Sequence, residues 1–151
     1  NTETYLNGLN VEKEIRTMRV SERVSQVSTL KDVRIAMVEQ QRRMGKEKAV
    51  VMDGRDIGTV VFPQAELKIF MNASAQTRAQ RRFDELISKG QTVTFEEVLK
   101  NVQERDYIDT HRDDSPLVIA NDAVEIDNSY LSKKEQFDLV LELVNDITNP
   151  T

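Results

Sequence analysis

Apolar positions along this chain alternate between helical spacing and short unbroken runs. Leu30, Val33, Met37 and Met44, flanked by Ile35 and Val38, form a broad stripe that predicts a helix over Lys31–Met44. Ser28 or Thr29 would cap it, and Gly45 would stop it. After the charged turn Lys46-Glu47-Lys48, the run Ala49-Val50-Val51-Met52 predicts a buried strand closing at Asp53. Residues 67–71 predict a second strand and residues 123–127 a third. Between these two, Ala79, Phe83, Leu86 and Ile87 mark the inner face of a helix that Ser74 can cap and Lys89-Gly90 ends. Thr94-Phe95-Glu96-Glu97 and Ser132-Lys133-Lys134-Glu135 both spell capping boxes. The first opens a helix carrying Val98, Leu99, Val102, Tyr107 and Ile108, closed by Asp113-Asp114-Ser115-Pro116. The second opens a final amphipathic helix on Phe137, Val140, Leu141, Val144 and Ile147. Near the start, Asn7-Gly8 signals a small exposed hairpin. Val20, Val24 and Val27 then fall at helical spacing.

After the hairpin the order is helix, strand, helix, helix, strand, helix. That alternation predicts an α/β domain with a parallel sheet and flanking helices, plus a small antiparallel hairpin. The 151 residues are most simply one domain, with neither a repeat nor a linker. A hydrophobic content of 38% beside 31% charged residues fits a globular protein with a charged surface. Neither a membrane-spanning run nor a signal-peptide pattern is visible. Because the first residue is Asn rather than Met, the true N-terminus is expected upstream. The chain has no cysteine, which excludes disulfides and thiol chemistry, weakens the case for structural zinc and fits a cytoplasmic protein. The formal charge of −5 argues against general attraction to nucleic acid.

Charge pattern adds the candidate chemistry. Asp53-Gly54-Arg55-Asp56 would sit at the C-terminal end of the first strand, the edge at which open α/β sheets bind ligands. Arg55 offers a planar fork of donors suited to phosphate. Arg78, Arg81 and Arg82 share one helix face, and so do Arg105, Asp109 and Arg112 at i, i+4, i+7. Each face alone is an ordinary solvated surface. Together with Arg55 they suggest a site for several negative charges. At about 4 Å in a partly shielded site, one pair of opposite charges gains roughly 4 kcal/mol before desolvation. His111 has no evident Ser or Cys partner and reads as a surface residue. Asp113 and Asp114 read as a helix end without a metal-ligand pattern.

The run Asp53-Gly54-Arg55-Asp56-Ile57-Gly58-Thr59-Val60-Val61-Phe62-Pro63, followed by Lys68-Ile69-Phe70, resembles the bacterial cytidylate kinases, members of the P-loop nucleoside monophosphate kinases. Glu14-Ile15-Arg16, Ser25-Gln26-Val27-Ser28 and Val33-Arg34 resemble the same family, as do Glu104-Arg105-Asp106, Asp109, Arg112 and Pro116-Leu117. The likeness covers nearly the whole chain in order. It implies transfer of the γ-phosphoryl group of ATP, with magnesium, to CMP or dCMP. It also implies roles for particular residues. Ser25, Arg34 and Asp56 would contact cytosine. Arg55 and Arg112 would hold the CMP phosphate. Arg105 and Asp109 would lie near the sugar, with Asp109 accepting from a hydroxyl. Arg78, Arg81 and Arg82 would belong to a lid over the ATP phosphates. Arg55, Arg81 and Arg112 would thereby be the catalytic set, and Asp53 would reach magnesium through water. Residues 1–28 would form part of a CMP-binding insert, and 29–151 the core with its lid near 75–112.

One departure is large. The family's phosphate loop, G-x-x-x-x-G-K-[ST], is absent from these residues. Gly45-Lys46 is not it, because residue 40 is Gln and Glu47 follows. The family's opening strand, which would lie between the strand ending at Asp53 and that at 67–71, is missing as well. The expectation is therefore the C-terminal two-thirds of a cytidylate kinase, with a partial P-loop kinase sheet, unpaired strand edges and impaired phosphoryl transfer. Self-association or rearrangement would cover the gap. Two other readings stand beside this one: a kinase for UMP, AMP or a shikimate-like acceptor, and a non-catalytic nucleotide-binding or assembly module. Nucleic-acid binding through the arginine faces is disfavoured by the net charge.

Overall fold

The computed structural model describes residues 3–149, so the outer limits of the expected 1–28 and 29–151 regions lie outside it. The chain opens with an antiparallel hairpin of β1 (Tyr5–Leu6) and β2 (Leu9–Asn10). Asn7 and Gly8 take φ values of 50° and 82°, the left-handed pair that a tight two-residue hairpin requires. A 3₁₀ turn at Glu14–Arg16 leads into α1 (Met18–Val27) and then α2 (Lys31–Met44). The α2 limits match the expected ones, but its cap does not. Leu30 holds the N-cap position without a side-chain hydrogen bond. The Ser28 hydroxyl instead donates to the Ser25 carbonyl at 2.7 Å, and that of Thr29 to the Gln26 carbonyl at 2.8 Å. Both hydroxyls satisfy the end of α1, so neither is left to start α2. At the other end Gly45 keeps a negative φ of −89°. Its role is close approach, since a β-carbon there would collide with the Phe62 ring.

The expected strand over 49–53 does not form. Lys48 and Ala49 both adopt left-handed φ, and Val50 to Asp53 pair with no strand among the described residues. Val51 is 99% exposed. A strand exists only where a neighbour accepts its ladder bonds, and here the apolar run finds none. The chain recovers order just beyond it. Residues Ile57–Val61 form a wide π turn, with Phe62 N–H donating to Ile57 O at 2.7 Å and Val61 N–H to Asp56 O at 3.2 Å. Arg42 of α2 donates to the Val60 and Val61 carbonyls at 2.6 and 3.2 Å, which fixes the turn to the helix.

The remaining elements are β3 (Ile69–Asn72), α3 (Ala75–Ser88), α4 (Phe95–His111), β4 (Val124–Asp127) and α5 (Lys133–Thr148). β3 and β4 pair in parallel, Ile69 opposite Val124 through Asn72 opposite Asp127. The expected parallel sheet is thus one parallel pair among the described residues, and the hairpin forms a second, separate sheet. Both capping boxes form with both of their hydrogen bonds. The buried apolar cluster lies between α3 and α4: Ala79, Leu86 and Val98, with Met18, Phe83, Val93, Phe95, Leu99 and Val102 around them. Phe83 and Phe95 meet edge to face at 6.2 Å. Arg78 closes the same interface with a two-pronged bond to Asp106 at 2.8 and 2.6 Å.

Elsewhere the predicted apolar stripes have nothing among the described residues to cover them. Neither α2 nor α5 buries a residue. Val33, Ile35, Met37 and Met44 on α2 are exposed, as are Phe137, Leu141, Val144 and Ile147 on α5. The accessible surface is 11340 Å², against roughly 7,800 Å² for a compact monomer of 17.3 kDa. The helices form where the periodicity predicts them, but among the described residues nothing covers those faces.

The α4 cap offers a direct check. Thr94→Ala should cost about 1 kcal/mol in denaturant unfolding at neutral pH. Backbone and hydroxyl donors from Thr94 hold the Glu97 carboxyl below the usual glutamate range. Its share of the stability is therefore complete above that range and lost as pH falls through the depressed value. Glu97→Gln should remove that acid dependence.

Candidate functional site

α1 and α4 bring the charged residues together. Arg105, Asp109 and Arg112 lie along α4 and at its end, and their face meets the serines of α1. Arg105 Nη1 donates to Ser21 Oγ at 3.2 Å, and Arg112 Nη1 to Ser28 Oγ at 3.3 Å. Asp109 is only 3% exposed and Arg112 only 8%. Between them, one Asp109 oxygen accepts from Arg55 Nε at 2.8 Å, and the other lies 3.6 Å from Arg112 Nη1. Arg112 Nε also donates to the Ser115 carbonyl at 2.9 Å.

Residues 55 and 56 are held by different helices. Arg55 reaches α4, whereas Asp56 turns to α2 and pairs with Arg34. Asp56 is 7% exposed and stands at the mouth of the π turn that Arg42 holds. The polar residues buried among those described are Ser21, Ser25, Asp56, Asn101, Asp109 and Arg112, and all belong to this cluster or its support. Charged groups are rarely buried unless the burial serves a ligand or a pair.

The electrostatics are unbalanced. Four guanidiniums (Arg34, Arg55, Arg105, Arg112) face two carboxylates (Asp56, Asp109), an excess of two positive charges. Burial pushes the Arg105 and Arg112 guanidiniums below the ordinary arginine value. The charges of Arg55 on the first and Arg34 on the second add to that push, and Asp109 opposes both. Three buried nitrogens, Arg34 Nε, Arg105 Nε and Arg112 Nη2, have no hydrogen-bond partner. Buried donors without partners are costly. A multiply charged anion would satisfy both deficits, the charge and the N–H groups.

The expected lid arginines have separate partners. Arg78 binds Asp106 and the Ala73 carbonyl. Arg81 reaches the side chain and carbonyl of Asn128 at 3.0 and 2.7 Å. Arg82 pairs with Glu85 and donates to the Arg16 carbonyl. Ser25 is buried on α1, and Asp53 is exposed before the π turn. Among the described residues no group of three or more acidic or His side chains could hold a metal ion. Sequence reasoning assigned no site role to Arg42, Ser21 or Asn101, and took Ser28 as a helix cap. Ser21, Ser25 and Ser28 repeat at i, i+4, i+7, and that spacing was the available signal.

The sequence matches the cytidylate kinase family model over residues 1–146. This chain belongs to the cytidylate kinase family. The cytidylate kinase of Flavobacterium johnsoniae is 72% identical over 145 residues, which are 96% of this chain and 63% of that protein. That of Flavobacterium psychrophilum is 70% identical over 145 residues, 96% of this chain and 64% of the relative. That of Bacteroides thetaiotaomicron is 64% identical over 134 residues, 89% and 58% respectively. The chain thus spans somewhat less than two-thirds of the length of these cytidylate kinases. No helix among the described residues is long and apolar enough to cross a membrane.

Asp109→Asn tests the cluster. Removing the shared carboxylate leaves buried guanidiniums uncompensated and should lower unfolding stability by about 3 kcal/mol. Inorganic phosphate should raise the thermal midpoint of this variant more than that of the wild type.

Proposed function

We propose that this chain carries the acceptor half of a cytidylate kinase, taking CMP or dCMP as the group phosphorylated by ATP with magnesium. The observation that carries this reading is the set of unpartnered, buried N–H groups on Arg34, Arg105 and Arg112, within a cluster holding two surplus positive charges. A nucleoside monophosphate supplies a phosphate dianion of matching charge. Family membership and the names of the relatives support the choice of nucleotide.

Each residue then has a task. Arg55 and Arg112 hold the acceptor phosphate beside Asp109, which orients both. Arg105 and Asp109 face the sugar, with Asp109 accepting from a hydroxyl. Ser25, Arg34 and Asp56 read the donor and acceptor edge of cytosine. In the transfer, an acceptor phosphate oxygen bonds to the γ-phosphorus of ATP, the bond from that phosphorus to the bridging oxygen breaks, and ADP leaves. Arg55, Arg81 and Arg112 neutralise charge along that path. Arg78, Arg81 and Arg82 serve as lid residues over the donor, which requires them to exchange their present partners for phosphate oxygens. Magnesium, when bound with ATP, would screen the donor phosphates. On this chain Asp53 would be the residue to meet it, through water. Residues 1–28 act as part of the CMP-binding insert, 29–151 as the core with its lid near 75–112, and the protein works in the cytoplasm.

The 151 residues contain no G-x-x-x-x-G-K-[ST] sequence, and in P-loop enzymes that loop cradles the donor phosphates. This favours, as a second reading, a chain that binds nucleotide without transfer. Titration calorimetry should detect CMP binding by the chain, and a coupled assay should find little or no CDP from CMP and Mg-ATP. No CMP binding by the folded chain would overturn the acceptor reading. Rapid turnover would overturn the expected donor deficit. In a protein of the relatives' full length, CMP should outpace UMP and AMP.

The uncovered faces of α2 and α5 suggest a second consequence. We infer that other polypeptide covers them, and that these residues alone associate with their own copies. Sedimentation velocity at micromolar concentration should find dimers or larger species. A strictly monomeric boundary would sink that inference.

A further inference from the structure

Two helices of this chain carry matched patterns. α1 has Ser21, Ser25 and, at its C-cap, Ser28, and α4 has Arg105, Asp109 and, at its end, Arg112. Both sets run i, i+4, i+7, so each occupies a single helix face. The structure keeps them in register. Ser21 meets Arg105 and Ser28 meets Arg112, each pair separated by 84 residues in sequence. Ser25 and Asp109, both buried, hold the corresponding middle positions.

Each end serine is held on both sides. Ser21 Oγ accepts from Arg105 and donates its proton to Asn101 Oδ1 at 3.0 Å. Ser28 Oγ accepts from Arg112 and donates to the Ser25 carbonyl at 2.7 Å. A hydroxyl has one proton to give. Once that proton is committed, its lone pairs stay aimed at the guanidinium. Asn101 lies one turn before Arg105 on α4, so the Ser21 link closes back on the helix that carries the arginine.

The chemistry of a serine is what matters here. A carboxylate in either place would also hold an arginine, but it would cancel part of the positive charge. Asp56 and Asp109 already neutralise two of four guanidiniums. Two further carboxylates would remove the excess entirely. A hydroxyl fixes the side chain and leaves its charge for the ligand.

We propose that Ser21 and Ser28 are positioning residues of the acceptor site, orienting Arg105 and Arg112 without neutralising them. The proposal rests on the cytidylate kinase reading for the identity of the ligand. Its local content, that these hydroxyls immobilise two arginines, stands on the contacts alone.

The test uses the 151-residue chain with Ser21→Ala, Ser28→Ala and the restoring variants Ser21→Thr and Ser28→Thr. NMR of the arginine side chains, without ligand, should show hydrogen exchange at Arg105 in Ser21→Ala and at Arg112 in Ser28→Ala faster by about tenfold, the effect of losing one hydrogen bond to a charged group. Arg78, held by Asp106, should be unchanged in both. Calorimetry with CMP and with cytidine should find their affinity ratio about tenfold lower in Ser28→Ala and restored in Ser28→Thr. Equal weakening of both ligands would indicate a merely structural role and overturn the proposal, as would unchanged arginine exchange. If the wild-type chain binds no CMP, the acceptor reading fails by itself. The exchange measurement then still decides whether the serines hold the arginines.

Discussion

The carboxylate of Asp109 is the constraint on which the site depends. It is buried at the middle of the α4 face and meets guanidiniums from two directions, Arg55 after the unpaired apolar run and Arg112 at the helix end. A lone buried carboxylate would be untenable, and so would the arginines without it. Their mutual need draws a loop, two helices and a helix terminus to one point. The charge is deliberately incomplete, because the groups that gather around Asp109 outnumber the carboxylates available to them. Desolvation and neighbouring arginines weigh on Arg105 and Arg112 together. An anion entering such a cluster would meet that surplus charge and the unpartnered donors of Arg34, Arg105 and Arg112.

The interior is divided between two kinds of glue. Apolar packing holds α3 against α4 through Ala79, Leu86 and Val98. Around α1, α2 and the π turn, hydrogen bonds and ion pairs take over: Ser21 with Asn101, Arg34 with Asp56, and Arg42 with two carbonyls. Such bonds depend on geometry more than on buried area, so they fix directions where the apolar core is thin. The price is a large wetted surface on α2 and α5, whose hydrophobic stripes nothing among the described residues covers.

Local signals were legible in the sequence wherever the physics is local. The Asn7-Gly8 hairpin, the Thr94 and Ser132 capping boxes and the limits of α2 and α3 follow from residues within a few positions of one another. The apolar run at 49–52 failed as a strand because strand formation needs a distant partner, and no periodicity encodes whether one is present. Ser28 failed as a cap for α2 because α1 claimed its hydroxyl first. Within the site, the spacing of Arg105, Asp109 and Arg112 foretold a common face. The meeting of that face with Arg55 required the tertiary fold, and the role of Arg42 was invisible because its acceptors are backbone carbonyls, which carry no sequence signature.

The division at a single peptide bond has a further consequence. Arg55 is anchored to α4 and its neighbour Asp56 to α2, so two recognition tasks hang from adjacent residues on separate supports. Under the proposed function, α2 governs which base is accepted and α4 governs how its phosphate is gripped. Substitutions on α2 would therefore act on the base side through Asp56, and reach the phosphate side only through the charge that Arg34 and Asp56 exert on Arg112. One peptide bond thus joins two ion pairs that rest on different helices, so a shift in either helix is felt at both.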